Sequence, residues 1–503
     1  MPTKTTKTAK TTKPATRTWS PQQKQIFAWF ATGKGNVVVR ARAGTGKTTT
    51  ILEAVEHHAP EHRILLAAFN RIIATELQSR ITSPYVQAKT LHGLGLSYIC
   101  ATWGNVSVDQ NGVRKIDLAR KVCDPDDPHE AVHLVSRVHS KVRELQPHRT
   151  TPYDILELMA DQDLLPEDKL EVEDNITPGW IADRASKAIE IAKLRTTLID
   201  YEDMIFLPLA LGMARPRFDL VVVDEAQDMS EPQLELAIKA CTATGRLAVV
   251  GDDRQAIYGF RGADSGSIDR LKTSLNASEL GLTTTYRCPK TVVEIARQIV
   301  SDFAAAPSAP KGIIENCSDL SLIHLAQPGD FILSRTNAPL VRVCLSLLRA
   351  GKSATIRGRD IGKNIVELVD RQKARDLVSL SKKLAVWVER ESKRARAALT
   401  EGAAENRIAY VQDVVGVVSA LCEDVATVAE LRSKLYTLFV QEPGNSVICS
   451  STHKAKGLEA RNVYLLTGTF GGKRSGETEE RNLLYVAVTR SMNRLVWVSG
   501  FEK

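Results

Sequence analysis

The chain lacks the marks of several protein classes. Its eight cysteines, at 100, 123, 241, 288, 317, 344, 422 and 449, are scattered, with no C-x-x-C and no zinc spacing. That argues against a disulfide framework and for reduced, mostly structural thiols in a cytosolic-type compartment. No apolar run is long enough to span a bilayer, so no membrane partner is expected. The basic N-terminus is not followed by an apolar stretch and does not read as a secretory signal. No internal repeat is visible. Strong basicity is also missing. Of the net charge of +8, Lys4, Lys7, Lys10, Lys13 and Arg17 supply five, leaving +3 for the remainder. A polyanion partner is therefore expected to meet a focused groove rather than a uniformly basic surface.

What is present is ordinary in bulk, with 43% hydrophobic and 25% charged residues in a chain of 503, which is too long for one core. Residues 1–18 read as a disordered basic tail, either an electrostatic arm or a solubilising extension. Folding starts at Trp19, where Ser20 suits an N-cap, Pro21 the first helical position, and Ile26, Phe27 and Phe30 an apolar face. Strand signals at 63–69, 218–223 and 246–250 flank a helical stretch. Within that stretch Leu134, Val135, Val138 and Val142, and Ile181, Ala185, Ile189 and Ala192, keep helical spacing. A second set of strands is expected at 330–333, 446–450, 462–466 and 494–498. It is interrupted by a helical stretch carrying Lys382, Lys383, Arg390, Lys393, Arg394 and Arg396. That basic run suits contact with a nucleic-acid backbone and equally a solvated helix face.

The strongest local signal is Asn36–Thr50, NVVVRARAGTGKTTT. Val37, Val38 and Val39 read as a buried parallel strand that runs into a glycine-rich turn and a helix. Such a turn points successive N–H groups of Ala43, Gly44, Thr45 and Gly46 at an anion, with Thr48 and Thr49 opening the helix. Lys47 adds a charge for the β- and γ-phosphates of ATP, and Thr48 a hydroxyl for Mg²⁺. Ala41 departs from the glycine that opens the general pattern. Downstream, Leu220–Val223 leads into Asp224-Glu225-Ala226-Gln227-Asp228. Chemistry at the end of an apolar strand fits a doubly wound sheet. Asp224 suits a metal ligand and Glu225 a general base for water. The segment Gly251–Gly262 offers Gln255 to sense the γ-phosphate, Tyr258 and Phe260 to stack on bases, and Arg261 to hold phosphate.

With these in order, the chain resembles a UvrD/Rep/PcrA-type superfamily 1 DNA helicase, in a compact variant with a shortened second insertion. The motifs run from Gln23 to Arg490 and cover both α/β cores but neither insertion. The resemblance accounts for Ala41, since that family's phosphate loop commonly opens with alanine. It implies that Gln23 reads adenine, that Tyr286 of Thr285-Tyr286-Arg287 stacks on it, and that Arg287 reaches the γ-phosphate. Glu459 would hold the ribose and Arg490 would act as arginine finger. Phe69, Asn70, Thr90 and His92, with Tyr258, Phe260, Arg261, Thr452 and His453, are implied contacts to single-stranded DNA. The fold implied is two RecA-like P-loop parallel-sheet domains, each with a mostly helical insertion: 19–94 with 197–280, insertion 95–196; 281–360 with 442–503, insertion 361–441. The implied activity is ATP- and Mg²⁺-dependent translocation on single-stranded DNA, 3′ to 5′, with unwinding at single-strand/duplex junctions. A loading protein would be a further partner, and the location would be cytoplasmic, at the nucleoid. An alternative is a DNA-stimulated ATPase that strips proteins from DNA without processive unwinding. A remote one is zinc hydrolysis, because His129-Glu130-Ala131-Val132-His133 is literally H-E-x-x-H.

Overall fold

The computed structural model describes residues 18–162, 164, 166, 176–257, 266–398, 401–440, 445–470 and 477–500. Residues 1–17 of the tail, and Tyr258, Phe260 and Arg261, lie outside the described residues. Helix α1 (Pro21–Thr32) starts as its sequence predicts. The Ser20 hydroxyl accepts from the Gln23 N–H, the Gln23 side chain accepts from the Ser20 N–H, and Pro21 sits in the first turn.

The first sheet holds β1 (Val37–Ala41), β2 (Ile64–Ala68), β3 (Val86–Thr90), β4 (Phe218–Val223), β5 (Cys241–Gly251) and β6 (Ser278–Leu282). The order is β3-β2-β4-β5-β1-β6, every pair parallel. Strand β6 therefore carries the first sheet to Leu282. The pleat splits β1 between two cores. Val37, Val39 and Ala41 pack with α1 and with α2 (Lys47–Glu53), while Val38 joins Leu65, Val221 and Val223 on the other face. Helices α3 (Arg71–Arg80) and α4 (Leu91–Trp103) follow β2 and β3.

The first insertion is helical, with α5 (Val113–Arg120), α6 (His129–Leu145), α7 (Pro152–Asp161) and α8 (Pro178–Ala192). The apolar stripes on α6 and α8 are buried, and their core is continuous with the Val38 face of the sheet. The chain returns through α9 (Asp203–Ala210), α10 (Glu231–Ala240) and α11 (Ser267–Ser274). A buried charge cluster locks this junction. Fully buried Arg143 of α6 spans Asp200 at 2.8 Å and Asp203 at 2.6 Å, and Arg114 of α5 reaches Asp203 at 2.5 Å.

Helices α12 (Lys290–Arg297) and α13 (Asp319–Leu325), with α14 (Ala338–Arg349), cover a second sheet. Its strands are β7 (Ile313–Ser318), β8 (Phe331–Ser334), β9 (Ala354–Arg357), β10 (Phe439–Val440), β11 (Val447–Ser451), β12 (Ala460–Leu466) and β13 (Ser491–Ser499). They run parallel in the order β7-β13-β12-β8-β11-β9-β10. The second insertion is α15 (Arg359–Arg371), α16 (Leu377–Ala398), α17 (Glu401–Cys422) and α18 (Val428–Leu438), with α16 packed on α17. Short α19 (Thr452–Ala455) and α20 (Glu477–Val488) complete the cleft side. No described helix is long and apolar enough to cross a membrane.

The buried junction yields a prediction. Arg143→Ala leaves two buried carboxylates short of a cation and should cost about 3–5 kcal/mol in urea denaturation. Arg63→Ala, which removes an exposed fork to Asp219, should leave the unfolding midpoint nearly unmoved.

Candidate nucleotide site and strand-binding surface

The phosphate loop sits between the two sheets and is held from both. Gly44 and Gly46 take left-handed φ values of +68° and +79°, which only glycine adopts without strain. A Cβ on Gly44 would also lie 2.5 Å from the Arg287 Cβ. The Tyr286 N–H donates to the Gly44 carbonyl at 2.8 Å. The Ala43 N–H donates to the Tyr485 hydroxyl at 3.0 Å, and Ala43 itself is buried in the core of the second sheet. The Thr45 hydroxyl donates to the Arg42 carbonyl at 2.9 Å.

Lys47 lies 2.5 Å from Glu225 and 3.6 Å from Asp224. Burial works against its charge, but Glu225 and then Asp224 outweigh that and hold the ammonium well above the usual lysine range. Burial likewise opposes ionisation of Glu225, yet Lys47, and behind it Lys456, bring it down to about 2. Asp224 is pushed up, by burial and by the Glu225 charge beside it, against the pull of Lys47. Glu225 is a non-glycine residue in the left-handed region, φ +52°. Strain of this kind persists where the surroundings over-determine it, often at functional positions. Here Gln227 Nε2 donates to Glu225 at 2.6 Å and Gln227 Oε1 accepts from the Asp252 N–H at 3.0 Å.

The second core reaches across the cleft at several points. Arg490 is fully buried; it donates from Nε to the Val486 carbonyl at 2.9 Å and from Nη1 to the Leu458 carbonyl at 3.1 Å, and its Nη2 lies 3.5 Å from Gln255 Oε1. Among the described residues it has no carboxylate partner. Burial, with the Arg287 charge, pulls it down to about 10. Arg287 donates to Glu459 at 2.5 Å. Lys456 donates to Asp228 at 2.5 Å and to the Gln255 carbonyl at 2.6 Å. Asn482 reaches the carbonyls of Asp253 and Ala256 at 3.4 and 3.3 Å.

Residues 19–276, more than half of the chain, match the family model described as the UvrD/REP helicase N-terminal domain. The chain belongs to the UvrD/Rep helicase family. Residues 446–498 match the UvrD-like helicase C-terminal domain, and the two parallel sheets are the two RecA-like helicase cores of that family. Among its relatives, the ATP-dependent DNA helicase PcrA of Leuconostoc citreum is 26% identical over 294 residues, 54% of this chain and 38% of that one. DNA helicase II of Haemophilus influenzae is 24% identical over 292 residues, 53% of this chain and 38% of that one. PcrA of Bacillus subtilis is 23% identical over 401 residues, 69% of this chain and 51% of that one. The matches thus span between about two fifths and half of those relatives' length.

Within this UvrD/Rep frame the site residues named from sequence fall into groups. Lys47, Thr48, Thr49, Asp224, Glu225, Gln255, Arg287, Glu459 and Arg490 surround the phosphate loop. Gln23 lies beside Gly46, where an added Cβ would stand 3.7 Å from its Nε2. Its amide already serves Thr50 at 2.9 Å and the α1 cap. Tyr286 is about half exposed at the cleft mouth. Phe69 is exposed at the end of β2 beside Ile72, which is more exposed still. Asn70 and Thr90 cap α3 and α4, their side chains accepting from Ile73 and Gly93, so these polar groups also have a structural task. His92 packs edge-on against Tyr201 at 6.3 Å, and burial pulls its pKa down. Burial, and then Arg335 and Lys456, bring His453 to about 3, so it is neutral. Thr452 departs from the expected DNA contact. It is fully buried and its hydroxyl donates to the Ser334 carbonyl at 3.3 Å, because the first turn of α19 packs onto the end of β8.

Sequence reading passed over Arg42, Gln227, Asp252, Lys456 and Tyr485. Asp228 stood inside the quoted Asp224–Asp228 run, but nothing in that run shows that Lys456 meets it. The H-E-x-x-H residues His129, Glu130 and His133 lie on the exposed side of α6. Among the described residues no group of three or more His, Cys, Asp or Glu gathers there or elsewhere to hold a metal. In the second insertion Lys393 pairs with Glu389 and Arg394 with Glu391, and Lys383 donates to the carbonyls of Gln372 and Lys373. The basic run is therefore partly committed to its own helices.

Burial lifts Asp228 to about 6, against the pull of Lys456. The pair is ionic above that pH and loses the carboxylate charge below it. The carboxyl ¹³C shift of Asp228, assigned with Asp228→Asn, should titrate near pH 6, and Lys456→Ala should move the midpoint higher. A midpoint in the ordinary aspartate range would refute this.

Proposed function

We propose that this chain is an ATP-driven motor on single-stranded DNA, a translocase that moves 3′ to 5′ and separates strands at junctions. The observation that carries the reading is Arg490 of the second core, buried beside Gln255 and near Arg287 with no carboxylate partner among the described residues. A buried guanidinium without an acid partner is costly, and the γ-phosphate of a nucleotide would supply the anion.

The residues present fit ATP and Mg²⁺. The N–H groups of Gly44 to Thr48 would cradle the phosphates, Thr48 and Asp224 would hold the cation, and Gln23, Tyr286 and Glu459 would take adenine and ribose. The cation would neutralise developing phosphate charge. Lys47 and Glu225 act as a linked pair. While Lys47 rests on Glu225, that carboxylate is a weak base. Transfer of the ammonium to phosphate removes the charge that depresses it, and burial then raises its basicity toward what a general base needs. Gln255 would orient the attacking water. Arg287 and Arg490 would stabilise the transferring phosphoryl only when the cleft is closed.

Closure and reopening would alternate the grip of the two cores on a strand that runs past Phe69, Ile72, Thr90, His92 and Tyr201. The names of the relatives, DNA helicases throughout, support DNA as the track. A second reading, removal of proteins from DNA without processive unwinding, is favoured by the short second insertion of four described helices.

Unwinding of 3′-tailed, 5′-tailed and blunt duplexes, beside displacement of a strand-bound protein, separates the readings. Only the 3′-tailed duplex should open, and Lys47→Ala should abolish turnover while leaving the fold intact. Opening of the 5′-tailed duplex would reverse the proposed polarity. Glu225→Gln should keep ATP binding but slow hydrolysis by about 10²–10⁴-fold. Loss of ATP binding instead would remove Glu225 from the role of base.

A further inference from the structure

Arg42 opens the phosphate loop, yet none of the roles above uses it. Its guanidinium, 7% exposed, divides between two cores. Nη1 donates to Asp252 at 2.9 Å and to Asp253 at 2.7 Å, both in the first core. The other edge forms a fork on Asp302, Nε at 3.0 Å and Nη2 at 3.1 Å.

Asp302 has a particular place in the fold. The chain crosses from the first core to the second through Thr283–Arg287. Thr283 is clamped by Gln22, which donates to its hydroxyl at 3.0 Å and accepts from its N–H at 3.1 Å. Thr284 and Thr285 then pair in parallel with Ala304 and Ala305. Asp302 thus stands just ahead of the strand that holds the crossing segment, where any rotation between the cores must pivot.

At the other end of Arg42, Asp252 Oδ2 accepts from Gln255 Nε2 at 2.7 Å and lies 3.4 Å from the Tyr485 hydroxyl. Asp302, Arg42, Asp252 and Gln255 form one unbroken polar chain. It runs from the interdomain pivot to the side chain that faces Arg490. A planar guanidinium held by three carboxylates cannot swing without breaking one of its bonds.

We propose that Arg42 and Asp302 form a pivot clamp, positioning residues that couple rotation at the crossing segment to the placement of Gln255. This deepens the motor reading and rests on it for its consequence in turnover.

The charge balance tells which partner to change. Without Arg42, Asp252, which is fully buried, would lose its cation. Without the Asp302 charge, the buried acids Asp252 and Asp253 still face Arg42 and Arg40, the latter 2.9 Å from Asp253. Asp302 is 44% exposed, so Asp302→Asn should fold.

The test compares the 503-residue chain with its Asp302→Asn and Asp302→Glu variants. In nucleotide-free protein, hydrogen exchange is read at the Tyr286 amide, the donor to Gly44. It should speed up by about tenfold or more in Asp302→Asn and stay near wild type in Asp302→Glu, with unchanged melting temperatures. Exchange that does not change, or that changes only along with melting, overturns the clamp. In ATP turnover, stimulation by oligothymidylate should fall about fivefold or more in Asp302→Asn. KM for ATP and unstimulated turnover should hold, and Asp302→Glu should restore stimulation. A changed KM, equal losses with and without DNA, or no rescue by glutamate overturns the coupling. If oligothymidylate fails to stimulate the wild-type chain, the motor reading fails, and the clamp is decided by exchange alone.

Discussion

Everything at the cleft depends on a loop that two sheets hold at once. The Ala43 N–H is bound by Tyr485 of the second core, and the Gly44 carbonyl by the Tyr286 N–H at the crossing between cores. Both contacts engage the loop's own backbone, one from the Tyr485 side chain and one from the Tyr286 backbone, so they do not depend on which side chains the loop carries. They place Lys47 opposite Glu225 and bring Arg287 and Arg490 to the same side. A phosphate loop anchored in one sheet only would bind an anion. Anchored in two, it ties the anion site to both sheets.

The buried charges follow from this. Lys47, Asp224, Glu225, Asp228, Lys456, Arg42, Asp252 and Asp253 sit within or beside the interface between the cores. Ion pairs so placed give little net stability, because desolvation consumes most of the attraction. What they contribute is geometry: a buried guanidinium or ammonium tolerates few positions, and each position sets the basicity of a carboxylate. The junction of the first insertion uses the same device for a static purpose, with Arg143 and Arg114 joining Asp200 and Asp203. That cluster acts as a rivet.

Much of this was legible in the chain. The three valines before the glycine turn and the Asp224-Glu225 pair after four apolar residues announced themselves by residue type and order, while the arginines 287 and 490 were singled out only through the family resemblance. The helical insertions announced themselves through apolar spacing. Strands were harder. β3 offers only Val86 and Ala88 as apolar residues, and β7 is an exposed edge, so neither makes a buried run. Asn70 and Thr90 show a different limit. Motif resemblance points to DNA for both, and the structure shows each also satisfying an open helix N-terminus, which a motif cannot reveal. For Thr452, a short polar stretch gives no sign that its first turn is buried against the end of β8.

The order of chemistry along the chain was therefore determined by sequence alone, because each motif is local: a strand, a turn and a few side chains within about ten residues. Which of these meet was decided by the tertiary fold. Lys456 finds Asp228, Tyr485 finds Ala43, and Arg42 finds Asp302 across separations of 228, 442 and 260 residues. No periodicity or spacing spans such distances. The pairings exist because two parallel sheets are docked with the C-terminal ends of β1, β4 and β5 facing α19 and α20. Lys456, Asp228, Arg42 and Asp302 find their partners only through that docking, whereas Arg490 is buried by it with no carboxylate among the described residues.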